Sequence, residues 1–92
     1  MKSSIKFTHS VETHDQTGKI MAVYLGLREG KSAKTVEYAN GKVFADYDRA
    51  GKLLGVEILA PCEVQLLLKI ATTAKERTFL KSHIPAGMLV AA

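Results

Sequence analysis

The chain has 92 residues, of which 47% are hydrophobic and 24% are charged, a composition typical of globular rather than disordered proteins. For this length we expect a single domain, residues 1–92, with a modest core. Thirteen Lys and Arg residues against nine Asp and Glu residues give a net charge of +4. The excess is mild and forms no basic block, so it favours a solvated mixed surface over nucleic-acid binding.

Several functional classes have no sequence support. Cys62 is the single cysteine, which excludes an internal disulfide and a multi-thiolate zinc site within one chain. No apolar run approaches the roughly 20 residues that span a bilayer, and no secretory signal is visible, so we expect a cytoplasmic protein without membrane contact. Neither a phosphate-binding glycine loop nor a nucleophile elbow is present. We therefore expect no cofactor and no metal.

Five segments show the features of β-strands. In the first, Ile5, Phe7, His9 and Val11 alternate with polar residues, which is the period of a half-buried strand. The later segments are rich in β-branched, aromatic and other apolar residues. They are residues 20–27, 35–38, 42–47 and 53–59.

Tight turns separate these segments. Asn40-Gly41 is a strong hairpin signal, and Gly51 suits the left-handed position that closes a three-residue loop. A further turn is expected around Gly30. Short connections exclude parallel crossovers, so we predict an α+β fold in which residues 5–59 form an antiparallel β-meander of four to five strands.

The predicted register has a consequence for association. A two-residue loop at Asn40-Gly41 places Tyr38 opposite Val43, and a three-residue loop ending at Gly51 places Asp46 opposite Leu54. Both sides of the sheet then carry apolar residues, whereas one helical layer covers only one side. We therefore expect the second side to meet another copy of the chain, with a dimer favoured, or to close into a barrel-like fold.

The C-terminal third is predicted to be helical over residues 61–82. Pro61 suits a first helical turn, and Thr73 with Glu76 matches a capping box, so either one bent helix or two helices fit the pattern. Residues 83–92 form an apolar tail, which we expect to dock on the sheet or on a neighbouring copy.

The candidate binding residues are Asp46, Asp48 and Glu57, which lie on two adjacent predicted strands. Paired carboxylates can act as acid and base, but the predicted register points Asp46 and Glu57 to opposite faces, and no catalytic residue is assigned. His9 is expected in the core or at its rim. His14 with Asp15 could bind a metal, although such pairs are common in polar turns.

Aromatic residues offer a further possibility. They could stack single-stranded nucleic acid, but core packing explains the same residues more simply. These aromatic residues are Phe7, Tyr24, Tyr38, Phe44 and Tyr47.

Residues 46–59, DYDRAGKLLGVEIL, resemble a widespread prokaryotic family of small domains of unknown function, whose members read D-x-D-x-x-G-x-[LVI]-x-G-[IV]-E-[IL]-[LI]. Upstream, Asp15 and residues 21–30 resemble the first hairpin of that family, Y-D-x-x-x-D-x-L-Y-I-x-L. Two departures matter: His14 stands where Tyr is usual, and Lys19 stands where the second Asp is usual. The resemblance covers residues 12–61. It implies no established activity, and it implies an antitoxin-like role beside a small protein partner by analogy alone.

From the sequence, the leading hypothesis is a non-enzymatic, self-associating protein-interaction module. The alternatives are a small enzyme that uses surface carboxylates and a weak nucleic-acid-binding domain.

Overall fold

Five strands form one antiparallel sheet in the computed structural model, which describes residues 5–13, 16–17 and 20–90. The predicted α+β class, with an antiparallel sheet and C-terminal helices, is confirmed. Along the chain the strands are β1 (Ile5–Thr13), β2 (Ile20–Arg28), β3 (Lys34–Tyr38), β4 (Val43–Tyr47) and β5 (Leu53–Ile58).

The strand order is β1-β2-β5-β4-β3, which differs from a simple meander because β2 lies beside β5 rather than β3. Burial explains this order. Every residue of β5 except Glu57 is buried, whereas β3 has no buried residue, so β5 belongs in the middle of the sheet and β3 at its edge. The connection over residues 29–33 crosses two strands, roughly 15 Å, which six Cα steps can span.

Two of the three predicted turns form as tight reversals, whereas the turn expected around Gly30 is wrong, because residues 29–33 lead from β2 to the far edge of the sheet. Lys42 N donates to Ala39 O, and Asn40 and Gly41 have φ values of 55° and 85°, as a type I′ turn requires. Gly51 has φ of 88° and closes a three-residue loop, since its N–H donates to Asp48 O.

The predicted register between β4 and β5 is wrong by one residue. Tyr47 pairs with Leu53, but Asp46 pairs with Gly55, so Leu54 is an extra residue that forms a β-bulge. Because side chains alternate across a sheet, this bulge moves the rest of β5 to the other face. Val56 now pairs with Ala45 on one face, and the expectation of two apolar sides is overturned.

One face of the sheet is covered by a helical layer. The chain forms two helices, α1 (Val64–Ile70) and α2 (Ala74–Ser82), rather than one bent helix. Thr73 caps α2 by accepting a hydrogen bond from Glu76 N at 3.1 Å, as the capping box predicts. The first helix starts at Val64 and not at Pro61, because β6 (Cys62–Glu63) pairs with the tail strand.

The apolar tail docks on its own chain. After a 3-10 turn at Ala86–Met88, β7 (Leu89–Val90) pairs in parallel with β6, and Met88 is buried. The tail therefore completes the core instead of requiring a neighbouring copy.

A continuous apolar core lies between the sheet and the helices. Its sheet residues include Leu25, Val56 and Ile58, and its helical residues include Leu67 and Leu80, all of them without exposed surface. The described part of the chain contains no helix that is long and apolar enough to cross a membrane.

A buried ion pair ties the two layers together. Arg28 on β2 donates to Glu76 Oε2 at 2.6 Å and to the carbonyl of Leu53, and Glu76 is fully buried. Glu76 Oε1 accepts from the backbone N–H and the hydroxyl of Thr72, at 2.8 and 2.7 Å. Burial opposes the charge on Glu76, but these hydrogen bonds outweigh it and lower the pKa of the carboxyl.

Candidate functional site

The face of the sheet opposite the helices is here called the open face. It is defined by strand register, because residues paired across antiparallel strands point to the same side. The described residues that register places there are Thr8, Ser10, Glu12, Ala22, Tyr24, Gly26, Thr35, Glu37, Phe44, Asp46, Gly55 and Glu57.

Tyr24 lies flat across the centre of this face, above two buried glycines. A Cβ atom added to Gly55 would meet the Tyr24 hydroxyl and lie 2.5 Å from Tyr24 Cζ, and one added to Gly26 would lie 3.4 Å from Tyr24 Cε2. Gly26 and Gly55 pair with each other on neighbouring strands. The missing side chain of Gly55 therefore leaves the space that the tyrosine ring occupies, whereas a Cβ on Gly26 would first meet the hydroxyl of Thr8.

Two of the three predicted site residues flank this ring. Glu57 pairs with Tyr24 across β2 and β5, and Asp46 pairs with Gly55, so both carboxylates lie on the open face. The prediction that Asp46 and Glu57 point to opposite faces is wrong, since it relied on a register without the Leu54 bulge. Asp46 Oδ1 also accepts a hydrogen bond from Thr35 Oγ1 at 2.7 Å, which fixes its orientation.

Asp48 is not part of this arrangement. Its carboxylate accepts a hydrogen bond from Lys52 N at 2.8 Å, and its backbone closes the loop to Lys52 O. This contact stabilises the β4–β5 turn, which is a common role for Asp at such a position.

The open face holds Tyr24 in its neutral form. Partial burial raises the pKa of the Tyr24 phenol, and the negative charges of Asp46 and Glu57 raise it further. The phenol is thus a hydrogen-bond donor beside two acceptors rather than a base. This arrangement favours binding a positively charged or hydrogen-bonding group.

The charge of the open face opposes that of the whole chain. Four of its residues are acidic, whereas the chain as a whole carries +4. Alternation along β2 would also place Arg28 on this face, but its guanidinium binds Glu76 of α2 instead. Phe44 adds a half-buried aromatic ring between Glu37 and Glu57. In the described ranges, no three His, Cys, Asp or Glu side chains lie close enough together to hold a metal ion.

The predicted aromatic platform is divided between the two faces. Tyr24 and Phe44 lie on the open face, while Tyr38 and Tyr47 lie on the helix side with their hydroxyls 3.2 Å apart. Phe7 stacks on Phe79 of α2, with ring centroids 4.4 Å apart. No single surface therefore presents all five rings.

The histidines lie elsewhere. His9 is exposed, which excludes the core and leaves the rim of the two expected places. It pairs with Leu25 on the helix side and contacts His83 edge to face, with ring centroids 5.8 Å apart. His83 Nδ1 lies 3.0 Å from Phe79 O at the end of α2. His14 and Asp15 lie outside the described residues.

Sequence reasoning missed Tyr24, Phe44 and Gly55 as members of one surface. The available signal was Gly55 inside the residues 46–59 motif, because a glycine within a strand often marks a close approach by another group. Without the correct register, the group that approaches it could not be identified.

The comparisons with known proteins give a family but no activity. A family model described as a protein of unknown function (DUF2283) matches residues 14–60, which confirms the resemblance to an uncharacterised family of small domains. No curated protein and no solved structure matches the chain. The matched range contains β2 to β5, whereas β1 and both helices lie outside it.

Proposed function

The chain belongs to the DUF2283 family of proteins of unknown function, and we propose that it is a non-enzymatic protein-interaction module whose open face binds a positively charged segment of another protein. The observation that carries this proposal is the acidic and aromatic open face on a chain of net positive charge. A cytoplasmic location, expected from the sequence, forms part of the same proposal.

Charge complementarity selects the partner. Glu12, Glu37, Asp46 and Glu57 attract Lys and Arg side chains and repel phosphate, so this face disfavours nucleic acid. Such long-range attraction also speeds the encounter with a basic partner.

The two aromatic rings supply short-range recognition. Tyr24 and Phe44 are half-buried, so part of each ring remains accessible beside a carboxylate. A guanidinium or ammonium group that lies on such a ring gains about 0.5–2 kcal/mol in addition to its ion pair. A partner segment that carries Arg or Lys therefore fits this face better than an apolar one.

The open face is less suited to binding itself. A face-to-face pair of identical copies would bring like charges together, which costs free energy. We therefore propose a small basic protein as the partner, consistent with the antitoxin-like role that the resemblance implies. Self-association requires another surface.

The experiment uses synthetic peptides rich in Arg as the probe, with peptides in which Glu replaces Arg as the reference. Isothermal titration calorimetry should show binding of the basic peptide that weakens as salt increases. The double variant Asp46→Asn with Glu57→Gln should weaken binding by about tenfold or more, because two ion pairs are removed.

A matched control is Glu63→Gln, which removes an exposed carboxylate outside the open face. It should bind the peptide like the unmodified chain. If the double variant and Glu63→Gln lose the same affinity for the basic peptide, net charge explains the binding and the open face does not. Equal binding of acidic and basic peptides would refute the proposed partner class.

A further inference from the structure

The strand β1 is an unprotected edge of the sheet. It spans nine residues and pairs with β2 alone, so its outer edge presents unpaired backbone N–H and C=O groups. All of its side chains from Phe7 to Thr13 are exposed. Long open edges of this kind pair readily with another strand.

Two of the three large hydrophobic residues exposed on the described surface lie on this strand: Phe7, which is 38% exposed, and Val11, which is 39% exposed. Both face the helix side, since Phe7 stacks on Phe79 and Val11 pairs with the buried Val23. The helical layer thus ends at β1 and leaves these side chains partly uncovered.

The sequence of β1 complements itself when reversed about His9. Around this residue, Phe7 and Val11 are both apolar, and Thr8 and Ser10 both carry hydroxyls. The pairing of β1 with β2 is regular from Thr8 to Glu12, so the centre of the strand is straight enough to accept a second neighbour.

We propose that β1 pairs antiparallel with β1 of a second copy around a two-fold axis at His9. In this register Phe7 opposes Val11 and Thr8 opposes Ser10 of the other copy, each pair occurring twice. Cross-strand pairs of these kinds each contribute roughly 0.2–1 kcal/mol. The backbone hydrogen bonds of the open edge are formed at the same time.

The proposed interface closes on itself. A two-fold pairing uses the same edge on both copies, so assembly stops at a dimer with a continuous sheet of ten strands. The open faces of the two copies remain uncovered. The proposed dimer is therefore independent of the proposed binding by the open face, and variants at Asp46 and Glu57 should leave the dimer intact.

Engineered cysteines test the register directly. Paired residues in an antiparallel sheet have Cα atoms about 4.5–5.5 Å apart, which a disulfide can bridge. His9→Cys should therefore form an intermolecular disulfide under mild oxidation. Val11→Cys should not, because its two copies would lie about 14 Å apart along the strand direction.

Charges introduced at Thr8 and Ser10, which oppose each other across the two-fold axis, supply the second test. Analytical ultracentrifugation should show a dimer of the 10.0 kDa chain. Thr8→Lys with Ser10→Lys should weaken this dimer at least several-fold, whereas Thr8→Lys with Ser10→Glu should retain it. Circular dichroism checks that each variant is folded. A monomer at high concentration, or cross-linking of Val11→Cys as fast as His9→Cys, would overturn the proposal.

Discussion

The two faces of the sheet are built from alternate residues of the same strands, yet they serve different purposes. On the helix side, neighbouring pairs such as Leu25 with Val56 and Val43 with Ile58 are fully buried beneath α1 and α2. On the open face, the corresponding pair of Tyr24 with Glu57 is half-buried and charged. Stability is thus concentrated on one face, which leaves the other available for recognition.

The residues that match the DUF2283 family include the strands that supply most of the open face but neither helix. The helical layer of this chain therefore lies outside the matched residues, although it completes the core. Changes on the helix side should accordingly affect folding, whereas most changes on the open face should affect binding.

The largest effect is expected from breaking the buried ion pair that joins the layers. Glu76→Ala leaves Arg28, whose side chain is 9% exposed, without its partner, and should lower the free energy of unfolding by about 3–5 kcal/mol. Urea denaturation measures this loss. Glu63→Ala, an exposed carboxylate on β6, should change stability by less than about 1 kcal/mol.

The same ion pair predicts an acid dependence. Because the pKa of Glu76 is lowered by folding, its contribution is present above the ordinary Glu pKa of about 4.3 and is lost as the pH falls further. As the pH falls from about 5, the free energy of unfolding should therefore decrease less in the Glu76→Ala variant than in the unmodified chain. Parallel pH curves would contradict the assigned role.

An intermediate effect is expected beneath Tyr24. Gly55→Ala places a methyl group against the Tyr24 ring and 3.0 Å from Leu25 O, so we expect a loss of about 1–3 kcal/mol. Combining it with Tyr24→Ala should reduce that loss, since the ring is removed. Gly87→Ala, where an added Cβ has no neighbour within 4 Å, should be nearly neutral.

An additive double variant would show that the strain comes from the Leu25 backbone instead. In that case the glycine would serve the sheet and not the open face. Thermal denaturation of the unmodified chain, Gly55→Ala, Tyr24→Ala and the double variant separates these outcomes.

Much of the fold followed from local signals, whereas the faces did not. The turns at Asn40-Gly41 and Gly51 were predictable because positive φ angles restrict the residues allowed there. The position of β2 beside β5 was not, since a connection of five residues fits either a hairpin or a passage across two strands.

The candidate site depended on one residue that local patterns do not reveal. Leu54 continues the apolar alternation of β5, so nothing in the sequence distinguishes it from a paired residue. As a bulge, it places Glu57 beside Asp46 and Tyr24. Candidate residues could therefore be named from the sequence, but their convergence required the register.

The smallest effect concerns two tyrosines, one on each face. The pKa of Tyr47 on the helix side is raised to about 12, first by burial and then by its hydrogen bond with Tyr38. The pKa of Tyr24 is raised by burial and by Asp46 and Glu57. The double variant Asp46→Asn with Glu57→Gln should lower the pKa of Tyr24 and leave that of Tyr47 unchanged, which a residue-resolved NMR titration can measure.

Ionisation of these two tyrosines destabilises the fold at high pH. Folding raises both pKa values above the ordinary Tyr value of about 10, so the stability linked to the phenols is complete below pH 10 and decreases as the pH rises towards 12. Neutralising Asp46 and Glu57 should flatten this decrease only in part, because Tyr47 still contributes. If the double variant moves both tyrosines equally, the two faces are electrostatically coupled through the sheet, and the separation between a stabilising face and a binding face fails.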